Sequence, residues 1–395
     1  MPRLLVFLLF IDTFVLRVEP SSGLVPGPRP PHLVATEEVS AALAGVPGLA
    51  LLPANNNLDV ARHDGRTYLA FRTAPTHFAS PGARLEVVSS ADERHWVHET
   101  TVALGSDVRE PRLLSFHGEL FLHFAVLGAR MLHFEPRGMM ALHRTAGGAW
   151  TAPVSVYRPG FIPWRTKVVA GVPYMMAYGD GRHIYARDGV PLQVHWLTTR
   201  DGTTWEPVVP GHAAVVEGGG SEADFVVRPD GAVVAVVRNE AGDASGWGSK
   251  ICRGEAAAPA MWRCTTDARK LDSPLLFEHG DRVLLVARRH LSGSGAYDLH
   301  QRWLPDSVQT AAYQLDYWRY PKRCAVWEVD PRSLEVRWLV DLPSRGDTCF
   351  PAVLDEEKDV VAVYNYSTPL DAPDLPWVVG QLGPTRIYRS LLELR

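Results

Sequence analysis

Ser221-Glu-Ala-Asp-Phe-Val-Val-Arg-Pro-Asp-Gly-Ala-Val-Val-Ala-Val-Val-Arg-Asn239 reads as two apolar strands folded back on each other about Asp230-Gly231. Asp-Gly between apolar runs is a strong hairpin signal, because glycine tolerates the positive φ that a tight turn needs. The chain repeats the phrase five more times, about Asp64-Gly65, His117-Gly118, Ala170-Gly171, Gly280-Asp281 and Glu356-Glu357. The other return strands fall at 67–72, 120–125, 173–178, 282–288 and 360–364 and are mostly apolar or aromatic. Four of the five intervals are about 50 to 60 residues and the last is about 76, a period that fits propeller blades of several short strands. The expectation is an all-β fold, a six-bladed β-propeller of four-stranded antiparallel blades spanning 33–395.

A length of 395 residues would by itself suggest two or three domains. The repeat overrides that prior, since blades share one continuous core. Hydrophobic content of 46% excludes a largely disordered chain. A formal net charge of −4 without a basic cluster gives no reason to expect nucleic acid or an anionic membrane as partner. Residues 1–16 carry one early arginine and then a mostly apolar run, too short for a membrane span and of signal-segment length. Asp12 interrupts that run, so a structural N-terminal strand or a mis-assigned start is the alternative. A Pro-rich linker follows at 20–31. Residues 1–32 are thus expected to be a signal segment and linker, with a secreted or periplasmic product and no integral membrane domain. Four cysteines, Cys252, Cys264, Cys324 and Cys349, form two disulfides or remain buried thiols; Cys252 and Cys264 flank a strand–turn–strand.

Outer strands end in tryptophan at a similar phase. Ser90, Asp92 and Trp96, and again Thr199, Asp201 and Trp205, share the spacing Ser/Thr-x-Asp-x-x-x-Trp. Leu142 to Trp150 keeps the tryptophan without the aspartate, and Trp262 and Trp338 are candidates for the same role. A turn aspartate can accept backbone N–H groups while the indole packs between sheets. These aspartates are read as structural.

Polar residues collect at one end of the inner hairpins. Before the first strands stand Asn57 and Asp59, Asp107, Arg109 and Glu110, Trp164 and Arg165, Glu222 and Asp224, and Asp272. The return strands finish in Arg72, Tyr178, Arg238, Arg288, and Tyr364 with Tyr366. A propeller would gather these at one channel mouth. Arginine offers a planar fork for a carboxylate or vicinal hydroxyls, and paired carboxylates can cleave a glycosidic bond. The alternative is that the arginines pair with acids of neighbouring blades and stitch the ring.

The run from Glu222 to Arg238-Asn239 resembles the fourth blade of the sialidase (neuraminidase) superfamily, and the Asp92 and Asp201 turns resemble its Asp-boxes. The resemblance implies that Glu222 polarises a nucleophile, that Arg238 and Arg288 (or Arg289) belong to the arginines binding a substrate carboxylate, and that Arg72 matches the family's additional arginine in the first blade. Three positions depart from the family. Asn57-Leu58-Asp59 replaces its Arg-Ile-Pro, Cys349-Phe350-Pro351 stands where its nucleophilic tyrosine opens the last blade, and the loop after Arg72 lacks its acidic residue.

The expected function is a sialidase-like glycoside hydrolase acting on an acidic or hydroxyl-rich sugar. Glu222 is the leading catalytic carboxylate, with Asp59 or Asp107 as partner. Arg72, Arg109, Glu110, Arg165, Tyr178, Asp224, Arg238, Arg288 and Tyr364 are the substrate-binding candidates. Alternatives are a non-catalytic carbohydrate- or protein-binding propeller, or a polysaccharide lyase with His77 or His123 as weak candidates for the base. No motif calls for a metal or nucleotide, so no cofactor is expected.

Overall fold

Four of the expected turns are two-residue loops, closing His63 on Arg66, Phe116 on Glu119, Val169 on Val172 and His279 on Arg282. In the first three, both turn residues hold positive φ: Asp64 46° and Gly65 70°, His117 52° and Gly118 76°, Ala170 49° and Gly171 80°. That backbone matches the right-handed twist of the flanking strands. The last turn departs from expectation: Glu357 pairs with Val360, so its centre is Lys358-Asp359 rather than Glu356-Glu357.

The computed structural model describes residues 29–131, 133–179 and 191–394. The expected signal segment and most of the Pro-rich linker lie outside them. The strands form six antiparallel sheets arranged as a six-bladed β-propeller. Blade one comprises Ala54–His63, Arg66–Ala74, Arg84–Ser90 and Trp96–Val102. Blade two is Asp107–Phe116, Glu119–Leu127, Pro136–Arg144 and Val154–Val156. Blade three is Ile162–Val169, Val172–Gly179, Leu192–Thr199 and Trp205–Pro207, with Ala214–Gly218 added beside its third strand. Blade four is Gly220–Val227, Val233–Asn239, Ser249–Glu255 and Ala258–Asp267. Blade five is Leu275–His279, Arg282–His290, Lys322–Val329 and Val336–Leu342. Blade six takes Ala352–Glu357, Val360–Ser367 and Arg386–Glu393 from the end of the chain, and its outermost strand, His32–Glu38, from the beginning. That last pairing closes the ring. The long fifth interval of the repeat accommodates a 14-residue helix, Asp306–Arg319, inserted in blade five.

Both faces of a blade are buried, which is why the return strands read as continuous apolar runs. Val234 and Val236 pack on Leu276, Val283 and Leu285 of blade five. Their neighbours Val233, Ala235 and Val237 face the opposite way, into the cluster holding Trp196 of blade three. Successive strand residues point to opposite faces, so one strand serves two interfaces. At the outer turns, Asp92 Oδ1 accepts the Arg94 and His95 N–H groups, and Asp201 Oδ1 accepts those of Thr203 and Thr204. Trp96 and Trp205 are buried beside them. One disulfide links Cys252 to Cys264, while Cys324 and Cys349 are free and buried.

The innermost strand of each blade leaves an unpaired edge in the channel, and such an edge must find partners. Neighbouring blades supply them through side chains. Asp59 Oδ2 accepts Leu113 N–H at 2.8 Å, and Asp224 Oδ2 accepts Leu276 N–H at 2.6 Å. Lys167 Nζ donates to the Phe225 and Leu276 carbonyls at 2.6 and 2.7 Å.

The inner strands also break at a common phase. Register shifts fall at Asn56/Leu58, Arg109/Arg112, Pro163/Arg165 and Gly220/Ala223 in blades one to four. Ser273 and Cys349 take φ of 54° and 80° just ahead of the fifth and sixth inner strands, as Asn57 (43°) and Glu110 (56°) do within theirs. Bulges of this kind re-aim side chains. All six lie at one mouth.

Candidate functional site

Glu222 occupies the bulge of blade four. Its Oε1 lies 2.5 Å from Arg238 Nη1, and its Oε2 accepts the Ser273 backbone N–H at 2.7 Å. Arg238 is held by Ser221 Oγ at 2.9 Å and stands 3.3 Å from a Glu240 carboxylate oxygen. Burial raises the Glu222 carboxyl, repulsion from Asp272 and Glu110 adds to it, and the sum outweighs Arg238 and Arg288, so its pKa reaches about 7. Glu110, in the bulge of blade two, accepts Asn57 Nδ2 of blade one at 3.1 Å. Tyr178 is buried on the return strand of blade three, its ring 6.3 Å from that of Trp164. Glu222 feels the charges of Arg238 and Glu110, and Arg109 and Arg238 both interact electrostatically with Tyr178, so these five form one polar group at this mouth, here called the bowl.

Several other expected site residues are committed to each other or to the backbone. Arg72 is fully buried and donates twice to Asp107 Oδ1, at 3.1 and 2.7 Å, and also to Asn56 Oδ1 and the Thr76 and Phe78 carbonyls. Burial pulls its pKa down to about 10 despite Asp107. Asp107 Oδ2 takes Arg109 Nε at 2.6 Å. Arg288 donates to the Thr348 and Cys349 carbonyls at 2.7 and 3.2 Å and to Asp272 at 3.0 Å, where Tyr317 of the inserted helix also donates at 2.7 Å. Arg165 reaches across the channel to the Pro274 and Pro351 carbonyls at 3.1 and 2.9 Å. Asp224 is enclosed between Lys167 Nζ and the Leu276 N–H. These groups fasten blades together.

Below the bowl the channel is plugged. Trp164 and Phe350 meet across the axis with ring centroids 5.2 Å apart, and the Arg112 guanidinium stacks on both, at 5.0 and 4.4 Å. Arg112 is fully buried and none of its three nitrogens has a hydrogen-bond partner. Burial, with Arg165 nearby, lowers its pKa to about 9. Nothing in the sequence marked Arg112, which looked like one more charge in a polar run.

The plug corrects one expectation about Asp59. Asp59 lines a 440 Å³ cavity with Arg165, Lys167, Leu276 and Asp355, farther along the inner strands than the bowl residues. Leu58 and Asp59 follow the Asn57 bulge, so the strand carries Asp59 past the bowl level; it does not pair with Glu222. Tyr364 is the second correction. It pairs with Ala352 rather than Phe350 because the turn centre lies two residues later, and its hydroxyl donates to Glu93 of blade one at 2.7 Å. Tyr366 stands at the mouth instead, donating to Asp347 at 3.0 Å. His77 Nδ1 lies 2.6 Å from the other oxygen of Asp347. His123 is enclosed elsewhere, between Gly202 and Trp205, and burial lowers its pKa to about 4. Among the described residues no group of three or more His, Cys, Asp or Glu side chains could hold a metal ion.

Solved structures share this architecture at low sequence identity. A protein of unknown function from Dyadobacter fermentans superposes with a TM-score of 0.61 and 18% identity, over 94% of this chain and 100% of that one. Trypanosoma rangeli sialidase in complex with sialic acid gives 0.57 and 11%, over 93% of this chain and 59% of its own. Phage phi92 endosialidase gives 0.58 and 9%, over 93% and 70%. The fold is sialidase-like. No protein-family model matches the chain, and no curated protein does. At these identities the likeness speaks for the fold, and the chemistry rests on the residues. The bowl of this chain holds the Glu222–Arg238 pair, and Phe350 stands at the position where the family resemblance implies a tyrosine.

Proposed function

We propose that this chain is an exported glycoside hydrolase acting on an acidic or hydroxyl-rich sugar bound in the bowl. The observation that carries the reading is Glu222, a carboxyl with a pKa of about 7 at the mouth of a polar channel, beside Arg238. A carboxyl protonated near neutrality can donate to a departing glycosidic oxygen. Arg238 and Arg109, whose side chains keep 14% and 13% exposure, are in this reading the arginines that meet a substrate carboxylate or hydroxyl pair. Arg72, Arg288 and Asp107 act in this reading as the frame that holds the bowl, while Arg165 and Asp224 tie blades together at the level of the 440 Å³ cavity. Sialic acid is the natural first probe, since Trypanosoma rangeli sialidase was solved with it. Export is supported by the Cys252–Cys264 disulfide.

A non-catalytic carbohydrate-binding propeller is the second reading, favoured by the commitment of Arg72 and Arg288 to protein partners. Assay of a panel of acidic and neutral aryl glycosides separates the two. Hydrolysis by the wild type, abolished in Glu222→Gln with sugar binding retained, supports the hydrolase. Binding without turnover across the panel supports the lectin-like role.

A further inference from the structure

Asp347 is fully buried and receives three groups. Its Oδ2 is 2.6 Å from His77 Nδ1, and its Oδ1 accepts Tyr366 Oη–H at 3.0 Å and Trp377 Nε1–H at 3.1 Å. Its own backbone is fixed by reciprocal bonds with Thr368, at 3.0 and 2.9 Å. The carboxylate therefore has one orientation. His77 comes from the loop after the return strand of blade one, so the contact bridges the seam between blades six and one. The histidine backbone is tied on both sides: its N–H donates to the Gln381 carbonyl at 3.0 Å, and its carbonyl accepts Arg109 Nη2 at 3.3 Å. The imidazole meets Tyr366 edge-on, with centroids 5.9 Å apart. Its side chain keeps 15% exposure while Asp347 has none. A carboxylate on Nδ1 fixes the tautomer with the proton on that nitrogen and leaves Nε2 basic. No described residue bonds Nε2.

Of the carboxylates that sequence favoured beside Glu222, Glu110 stays in the bowl with one oxygen held by Asn57, while the other two do not face it freely. Asp107 is closed by Arg72 and Arg109, and Asp59 lies past the plug. Resting on the hydrolase reading above, we infer that His77 is the catalytic base of the bowl, with Asp347 as the residue that positions it. In the step this implies, the Nε2 lone pair takes a proton from a water molecule as the water oxygen bonds to the anomeric carbon. The glycosidic C–O bond breaks, its electron pair stays on the leaving oxygen, and that oxygen receives the Glu222 proton. One displacement inverts the anomeric centre.

The test uses methyl and 4-nitrophenyl glycosides of N-acetylneuraminic and glucuronic acids with the full chain. The first-formed sugar, followed by proton NMR, is expected to be the inverted anomer. His77→Gln is expected to lower kcat by about 10² to 10⁴, with KM nearly unchanged, the pattern of a group acting only in the transition state. Asp347→Asn is expected to lower kcat by about 10- to 100-fold and to shift the His77 nitrogen resonances away from the Nδ1–H tautomer. Added imidazole should restore part of the turnover of His77→Gly. Should His77→Gln be destabilised, His77→Asn, whose amide can still reach Asp347, carries the same comparison. A retained anomer, or undiminished turnover in these variants, overturns the role of His77 and leaves the hydrolase standing. Absence of turnover by the wild type on every probe overturns both.

Discussion

Trp164 of blade three and Phe350 of blade six touch edge to face on the propeller axis, 5.2 Å between ring centres. Neither ring lines the 440 Å³ cavity that holds Asp59. Both rings are buried, and the fully buried Arg112 guanidinium stacks on each. Removing the indole opens a cavity in the core and leaves Arg112 without one of its two stacking partners. Trp164→Ala is expected to cost about 3 to 5 kcal/mol, read as a lower urea midpoint. An unchanged midpoint would mean that the rings do not carry the core at the axis.

Glu222 gives a pH signature independent of activity. Its carboxyl holds a proton up to about pH 7 in the fold, against 4.5 as the ordinary value. Between those values the folded state binds more protons than the unfolded chain, so this group makes stability fall as pH rises. Its contribution is most favourable below about 4.5 and is lost as pH climbs through about 7. Glu222→Gln removes the slope. Unfolding curves at pH 4.5 and 8 should show wild type losing stability relative to the variant by up to about 3 kcal/mol; parallel behaviour would contradict the shift.

Asp107 is expected to matter for stability through Arg72. With Asp107 removed, a fully buried guanidinium keeps its backbone partners and loses its counter-charge. Breaking such a pair from one side costs about 3 to 5 kcal/mol. Asp107→Ala should therefore lower the denaturation midpoint sharply, and a midpoint matching wild type would show that the pair contributes little.

The Cys252–Cys264 link joins the third and fourth strands of blade four across a separation of 12 residues. Loop closure of that size corresponds to about 3 kcal/mol. Replacing both cysteines with alanine should lower the melting temperature, and peptide mapping without reductant should recover the pair as a single fragment. Recovery of four free thiols from oxidatively purified protein would refute the pairing.

The blade hairpins were legible because tight turns demand particular residues and doubly buried strands demand continuous apolar runs. Asp230-Gly231 followed by Ala-Val-Val-Ala-Val-Val announces both requirements at once. Tyr364 was misplaced because Glu356-Glu357 and Lys358-Asp359 are equally polar, and neither contains glycine. A shift of two residues kept the strand but exchanged Tyr364 for Tyr366 at the mouth. Asp59 failed for a different reason: a bulge residue such as Asn57, in a left-handed backbone, leaves no fixed mark in sequence. Asn, Glu, Trp, Ser and Cys all serve at that phase. His77 carried only a weak signal, since its partner lies 270 residues away.

Local chemistry, written along the chain, determined the repeat, the strand faces, the turns and the ring they imply. Each of those depends on contacts within one hairpin or on the two faces of one strand. Which charged groups work together was decided only when the ring closed, with His32–Glu38 pairing onto Arg386–Glu393. Closure brings blade six against blade one, Asp347 against His77, and Phe350 against Trp164. Hydrogen bonds and ion pairs act over a few ångströms of space, and sequence distance says nothing about which side chains come that near.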